Sequence, residues 1–249
     1  MKKAFYILVC TLLLSCNQED AWDCIQTAGE INNEEIEVPR FHRIQLEGDV
    51  SMVLSQSNKQ EIYLNTGENL RNDFYVGVED GTLVIRNNNR CNLSREYAIS
   101  TVYVATDTLT HIRHSSPRNI MGVEILRFPS LTLESNSTGG PEISTKSGNF
   151  YLGLDISELV ISANGQSVFN LYGFCENANI VFSDEFPRFE GPDFRIQNLK
   201  VLQRSANKMV VFPTQSITGS IFGTGDILSL YQPEEVQVEE TWTGRLLFL

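Results

Sequence analysis

Short apolar strands that recur at a nearly constant spacing are the feature that most constrains the fold of this chain. The strands begin at Leu131, Leu159, Ile180, Leu199, Ile217 and Val236, so the first step is the longest and the later steps are nearly equal. Repeats of about 20 residues are typical of solenoids, in which stacked coils bury one continuous core. We therefore predict an all-β protein, built as a parallel β-solenoid (β-helix).

Second strands lie between these starting points, at Val168–Leu171, Met209–Phe212 and Asp226–Leu230. Each is bounded by Asn, Gly or Ser residues, which are typical of corners. The longer first step is explained by a coil with an extra strand at Phe150–Ile156. A β-sandwich also contains many short strands, and it is the alternative fold.

The N-terminal third of the folded region is predicted to contain further strands and one hairpin. Strands are expected between Phe41 and Ile85, and Asp80-Gly81 supplies the positive φ angles of a tight hairpin turn. Only Glu68–Phe74 fits a short helical turn. The predicted domains are a signal peptide at 1–15, a lipid anchor and acidic linker at 16–35, and one solenoid domain at 36–249.

The first fifteen residues have the features of a lipoprotein signal. Lys2 and Lys3 precede an apolar stretch, Ala4–Leu14, which is too short for a transmembrane helix of about 20 residues. The next residues, Leu13-Leu14-Ser15-Cys16, resemble the bacterial lipobox, whose cysteine is lipidated and becomes the first mature residue. We predict that a lipid on Cys16 anchors the protein to a membrane. An ordinary signal peptide with a chance cysteine is the alternative.

The polar segment after Cys16 bears on where the protein is displayed. Asn17-Gln18-Glu19-Asp20 resembles the acidic export tags by which Bacteroidota send lipoproteins to the cell surface. This predicts an outer-membrane lipoprotein exposed on the cell surface. A periplasm-facing lipoprotein is the alternative, because short charged runs are usually only solvated.

The charge of the chain argues against nucleic acid as a partner. The formal net charge is −12, and it becomes −14 when residues 1–15, with Lys2 and Lys3 as their only charges, are removed. Phosphate binding requires clustered Lys and Arg residues, whereas the basic residues here are scattered singly.

Cysteine usage predicts one disulfide and one free thiol. Removal of the signal leaves three cysteines besides the lipidated one: Cys24, Cys91 and Cys175. We predict a Cys24–Cys91 disulfide, which ties the segment after the anchor to the folded domain. Cys175 lies in an apolar segment and is predicted to be a buried, unreactive thiol.

No catalytic, metal or cofactor site is predicted. The chain lacks the Gly-x-Ser-x-Gly and His-Glu-x-x-His motifs, zinc-type Cys/His spacings and a glycine loop followed by a helix. His111 and His114 are close enough in sequence to share a metal, but we favour a solvated strand end. His42 lies on a predicted strand.

The strongest candidate for ligand binding is an aromatic and acidic segment. Two prolines within Asp184–Phe194 predict an irregular, protruding loop, and exposed aromatic rings beside carboxylates suit a sugar or a protein partner. The predicted binding residues are Phe186, Arg188, Phe189, Glu190, Asp193 and Phe194. The alternative is that the aromatic residues belong to the core and the charges are merely solvated.

Several segments together resemble the auto-transporter adhesin head GIN domain family, which occurs mainly in Bacteroidota lipoproteins. In chain order they are Gly67–Leu70, Val78–Ile85, Val102–Val104, Gly223–Ile227, Tyr231–Pro233 and Thr243–Leu246. The resemblance covers most of residues 36–249 and implies a right-handed solenoid without established enzymatic activity. Cys91 within Asn89–Asn92, with Cys24 near the anchor, resembles a flavobacterial subtype and supports the disulfide. Only Gly223–Asp226 keeps the glycine-rich corner of typical members.

These features predict a membrane-anchored lipoprotein that displays a β-solenoid for adhesion or ligand binding. The membrane is contacted through the lipid, and a glycan or an envelope or host protein is the expected partner. One alternative is a structural envelope component without a specific ligand. The other is a carbohydrate-active β-helix enzyme, for which the sequence offers no identifiable carboxylate pair.

Overall fold

The computed structural model describes residues 24–89, 91–93, 95–96, 98–141 and 145–249. The predicted signal peptide and Cys16 lie outside these residues. Apart from one 3-10 helix at Glu68–Asp73, the regular elements are strands. In the described part they are β1 (Ile31–Glu35), β2 (Arg43–Glu47), β3 (Ser51–Gln56), β4 (Glu61–Gly67), β5 (Phe74–Glu79), β6 (Thr82–Asn87), β7 (Thr101–Thr106), β8 (His111–Ser115), β9 (Ile120–Leu126), β10 (Ser130–Ser135), β11 (Phe150–Ala163), β12 (Val168–Phe182), β13 (Arg188–Gln203), β14 (Met209–Ile221), β15 (Ile227–Ser229), β16 (Glu235–Glu240) and β17 (Leu246–Phe248).

The four long strands β11–β14 are stacked in parallel and set the repeat of the fold. Phe150 of β11 pairs with Phe169 of β12, which pairs with Phe189 of β13, which pairs with Met209 of β14. The steps between these partners are nearly equal and agree with the predicted spacing. The predicted pairs of short strands are therefore continuous strands, and the predicted all-β class is confirmed.

Each long strand takes part in two hydrogen-bonded ladders. Ladder 1 contains β1, β4, β7, β3, β9, the first halves of β11–β14, then β15 and β17. Ladder 2 contains β5, β6, β2, β8, β10, the second halves of β11–β14, and β16. The two ladders are joined into one curled, mixed sheet.

The order of the N-terminal strands does not follow the chain. The layer formed by β2 and β3 lies between the layer of β6 and β7 and the layer of β8 and β9. Strands β1, β4 and β5 pair antiparallel at this end of the sheet. The fold thus begins before the predicted boundary at residue 36, because β1 covers part of the segment that was predicted to be a linker.

The predicted hairpin is present between β5 and β6. Asp80 and Gly81 have φ angles of 47° and 74°, the left-handed values that a tight two-residue turn requires. The predicted helical turn is also present, as the 3-10 helix between β4 and β5.

The extra strand predicted at Phe150–Ile156 is not an addition to a coil. It is the ladder 1 half of β11, and every later coil has the same half. The interval from Leu131 to Leu159 is the longest of the repeat because the connection from β10 to β11 is long. It covers residues 136–149, whereas the connection from β12 to β13 covers only 183–187. Residues 142–144 of this connection lie outside the described part.

The core is a continuous set of inward side chains between the two ladders. One inward row consists of Ile120, Phe150, Phe169, Phe189 and Met209, all with no exposed surface. The rings of Phe150 and Phe169 are stacked, with centroids 4.7 Å apart. Such rows bury the apolar face that a single coil cannot cover alone.

A disulfide joins Cys24 to Cys91, the pair that was predicted from the sequence. The cysteines are 67 residues apart, and closing a loop of this length stabilises a fold by about 4 kcal/mol in the chain-entropy model. Near the bridge, Arg95 donates hydrogen bonds to the backbone oxygens of Gln26 and Cys91. The disulfide thus links the chain at Cys24 to the segment that follows β6.

Cys175 is fully buried, as predicted, and is not disulfide-bonded. Burial raises the pKa of its thiol to about 12, so the thiolate needed for reaction is scarce at neutral pH.

Candidate functional site

The segment Asp184–Phe194 is not the irregular loop that was predicted. Strand β13 begins at Arg188, and the two phenylalanines Phe189 and Phe194 are completely buried, with ring centroids 6.5 Å apart. Their inclusion in the binding set was wrong, and the alternative of core aromatics applies to them. Phe186, at the preceding corner, is 52% exposed.

The cause of this error is a register shift between Glu190 and Phe194. Residues five apart on a regular strand face opposite sides, since side chains alternate. The pairing of β13 is interrupted between Glu190 and Arg195, so Phe189 and Phe194 both face the core. A proline is tolerated where the ladder is interrupted.

The other predicted residues, Arg188, Glu190 and Asp193, do line a surface groove. The groove has a volume of about 720 Å³ and is also lined by Met121, Tyr151, Asn170 and Tyr172. This volume is within the usual range of ligand sites, roughly 300–1,000 Å³. The structure thus brings part of the predicted loop together with aromatic residues from β11 and β12.

One tyrosine of the groove, Tyr151, belongs to a longer row on the outer face of ladder 1. Tyr63 pairs with Tyr103, which pairs with Val53, which pairs with Met121, which pairs with Tyr151. Neighbouring strands are about 4.8 Å apart, so this row extends for roughly 19 Å along the stack.

We call Tyr63, Tyr103, Met121, Tyr151 and Tyr172 the tyrosine stripe. Tyr172 lies on β12, one strand beyond Tyr151, but beside the row, because its ladder partner is Gly153. Tyr103, Met121, Tyr151 and Tyr172 are each 41–44% exposed, and Val123 beside them is 66% exposed. Aligned apolar side chains on an outer face are typical of interaction surfaces.

The ring of Tyr172 lies against the backbone at Gly153, its partner in the ladder. A methyl group at Gly153 would be only 2.5 Å from the Tyr172 ring, so a larger residue does not fit under the ring. Gly153 thus allows the Tyr172 ring to pack closely on the sheet, where it remains 44% exposed.

Arg188 and Glu190 form an ion pair at the side of the groove. Arg188 Nε is shielded from solvent and has no hydrogen-bond partner within the described residues. The Arg188 side chain is 39% exposed and that of Glu190 is 21% exposed, next to the rings and with Asp193 nearby. This arrangement suits a ligand that carries several hydroxyl groups, because each hydroxyl both donates and accepts.

Sequence reasoning missed the stripe, although the chain contains a signal for it. Each of the four tyrosines lies between two residues that are apolar or Gly, as in Val102-Tyr103-Val104 and Phe150-Tyr151-Leu152. On a strand, this pattern places the flanking residues in the core and the tyrosine on the outer face. The alignment of the four triplets across strands is set by the ladder order.

The histidines do not form a metal site. His111 and His114 face opposite sides of β8, because they are three positions apart on a regular strand. His111 contacts Glu134 at 2.8 Å, and Arg113 contacts the same carboxylate at 2.7 Å. His114 is buried, contrary to the predicted solvated strand end. No cluster of three or more potential ligands occurs in the part of the chain that the structure describes.

The sequence profile of the family described as "Putative auto-transporter adhesin, head GIN domain" matches residues 40–233. The chain belongs to this family. The family is described as an adhesin and not as an enzyme, which agrees with the resemblance noted from the sequence. No functionally curated protein is detectably similar to this GIN-domain chain.

Solved structures share the fold of this GIN-domain chain. A putative adhesin from Bacteroides fragilis has a TM-score of 0.79 at 16% identity, covering 90% of this chain and 99% of that one. A putative lipid binding protein from Parabacteroides distasonis has a TM-score of 0.62 at 16% identity, covering 90% and 98%. A putative adhesin from Parabacteroides merdae has a TM-score of 0.59 at 16% identity, with the same coverage.

Among the described residues, no helix is both long and apolar enough to cross a bilayer.

Proposed function

We propose that this GIN-domain protein is a surface-displayed lipoprotein, anchored through Cys16, that binds a ligand with its tyrosine stripe. The observation that carries the proposal is the gathering of exposed tyrosine and methionine side chains on the outer face of ladder 1. The adhesin description of the family and the signal-like N-terminus support it. In this proposal the coils wind right-handed, the hand that parallel strand connections adopt in about 98% of cases.

The stripe also favours binding over the two alternatives. A structural envelope component without a ligand does not require exposed tyrosine rings gathered on one face. A carbohydrate-active enzyme requires two suitably placed carboxylates, whereas Glu190 in the groove is held by Arg188. A lipid ligand, as the description of one structural neighbour suggests, is less suited to an open, shallow row of rings than to an enclosed cavity.

The binding part of the proposal is tested with beads coated with the full-length chain. The beads are applied to isolated bacterial envelopes and to cultured epithelial cells, with the triple variant Tyr103→Ala, Tyr151→Ala, Tyr172→Ala for comparison. We expect the triple variant to lose at least about tenfold in adhesion, because aromatic anchors dominate binding surfaces. Tyr75→Ala is the matched control, since Tyr75 is 39% exposed but lies on ladder 2.

Adhesion of the triple variant at the wild-type level would refute the stripe as the binding surface. Display is tested separately, by antibody labelling of intact cells that produce the wild-type chain or Cys16→Ala. We expect the wild type to be labelled without permeabilisation and the variant to be released from the membrane. Labelling that requires permeabilised cells would instead indicate a periplasm-facing protein.

A further inference from the structure

The chemistry and spacing of the stripe also indicate what it binds. Resting on the proposed function, we propose that the ligand is an extended, uncharged glycan that lies along the stack, across the strands. Its sugar rings lie on Tyr103, Tyr151 and Tyr172, and its hydroxyl groups contact Arg188 and Glu190. Nothing in the family description or in the neighbouring structures specifies such a ligand.

The spacing of the stripe suits a chain of sugar rings. Side chains in one register row repeat with the inter-strand distance of about 4.8 Å. A pyranose unit in an extended glycan advances by a comparable length. A glycan lying across the strands therefore meets successive strands with successive units. Tyr103 and Tyr151 are three strands apart, roughly 14 Å, so about three units extend from one ring to the other across Val53 and Met121.

The orientation of the rings suits the faces of sugars. Tyr172 packs over Gly153 and is still 44% exposed. The carbon-bound hydrogens on one face of a pyranose form an apolar surface that covers such a ring, while its hydroxyl groups remain at the edge. Tyrosine adds a hydroxyl that donates and accepts hydrogen bonds at the rim.

The charges of the groove select against acidic glycans. Among the described residues, the only cation lining the groove is that of Arg188, which is already paired with Glu190, and Asp193 adds a negative charge beside them. The whole chain is also acidic, with a formal net charge of −12. A uronic acid or sialic acid chain would be repelled, whereas hydroxyl groups bind to both members of the ion pair.

Gly153 is a positioning residue in this scheme. Gly153→Val would push the Tyr172 ring away from the sheet without removing the ring itself. We expect this variant to weaken glycan binding about as much as Tyr172→Ala does. A purely structural role for Gly153 would change stability alone, so the unfolding temperature of each variant is measured alongside binding.

The experiment uses the bead assay with the full-length chain and with the surfaces to which the beads adhere. One portion of these surfaces is oxidised with periodate, which cleaves vicinal diols of sugars, and another is digested with protease. Polysaccharides released from the same surfaces are separated by anion exchange into uncharged and acidic fractions, and each fraction is used as a competitor. We expect periodate to abolish adhesion, protease to leave it, and the uncharged fraction to compete at least tenfold better.

The outcomes separate the two proposals. Tyrosine-dependent adhesion that resists periodate, is lost with protease or is competed better by the acidic fraction overturns the uncharged glycan and leaves the stripe as the binding surface. Adhesion that does not depend on the tyrosines overturns both. The uncharged fraction should inhibit the adhesion of beads coated with the Tyr75→Ala variant as strongly as it inhibits the adhesion of wild-type beads.

Discussion

His114 illustrates how a polar residue is accommodated inside this core. Its ring is 1% exposed and meets the edge of Phe150, with centroids 5.0 Å apart. Gly148 leaves the space that the ring occupies, because a methyl group there would be 2.2 Å from His114 Nε2. Burial lowers the pKa of His114 to about 4, and a backbone hydrogen bond with Arg118 opposes this shift.

This burial predicts that the protein loses stability in mild acid. The unfolded chain binds the proton near pH 6.5, while the folded chain binds it only near pH 4. The contribution of His114 is therefore fully present above pH 6.5 and is lost as the pH falls to 4. It amounts to about 3 kcal/mol, measurable as the free energy of unfolding in urea at several pH values.

Two variants identify the group responsible. His114→Leu should flatten the dependence of stability on pH between 6.5 and 4, whatever it does to stability at neutral pH. His42→Gln, at an exposed position, is the control and should retain the wild-type dependence. An unchanged slope in His114→Leu would assign the acid sensitivity to other groups.

At the scale of single strands, the inward phenylalanines carry much of the packing. Phe169 stacks on Phe150 at 4.7 Å and also contacts Phe182, with centroids 5.9 Å apart. Phe169→Ala would leave a cavity that the neighbouring strands cannot fill, because β12 is hydrogen-bonded to β11 on one side and to β13 on the other. We expect a loss of about 3–5 kcal/mol in unfolding free energy, measured by denaturant titration.

Phe186→Ala is the matched control for this prediction. Phe186 is 52% exposed at a corner, and its backbone hydrogen bonds do not depend on its ring. Its loss should change stability by less than about 0.5 kcal/mol. Similar losses in the two variants would contradict the assignment of Phe169 to the core and Phe186 to the surface.

Strand positions and corners were predictable from the sequence, because alternation and Gly, Asn and Asp residues are local signals. Which side chains of β13 face the core was not predictable, because the register shift within this strand depends on pairing with β12 and β14. The candidate site was predicted only in part for the same reason. Arg188, Glu190 and Asp193 were found, whereas Tyr63 and Tyr151 come to lie in one row only through the ladder order.

For the molecule as a whole, the repeat length predicted the offset between stacked strands but not their order. The C-terminal layers follow one another along the chain at the predicted spacing. The β2–β3 layer does not, because it lies between two layers that come later in the chain. A repeat in the sequence predicts how many residues separate two paired positions along the chain. It carries no information about a layer that is inserted out of chain order.

This inserted layer determines when each part of the sheet is able to assemble. Arg43 of β2 pairs with Thr82 and His111, which are both far from it in the chain. Phe169, in contrast, pairs with Phe150 and Phe189, which lie only one coil before and one coil after it. Closing longer loops costs more entropy and slows folding.

In pulsed hydrogen exchange during refolding, we therefore expect β12–β14 to gain protection before β2 and β3. Simultaneous protection of the two regions would contradict this order. In the expected order, β2 and β3 are synthesised before β12–β14 but are enclosed after them.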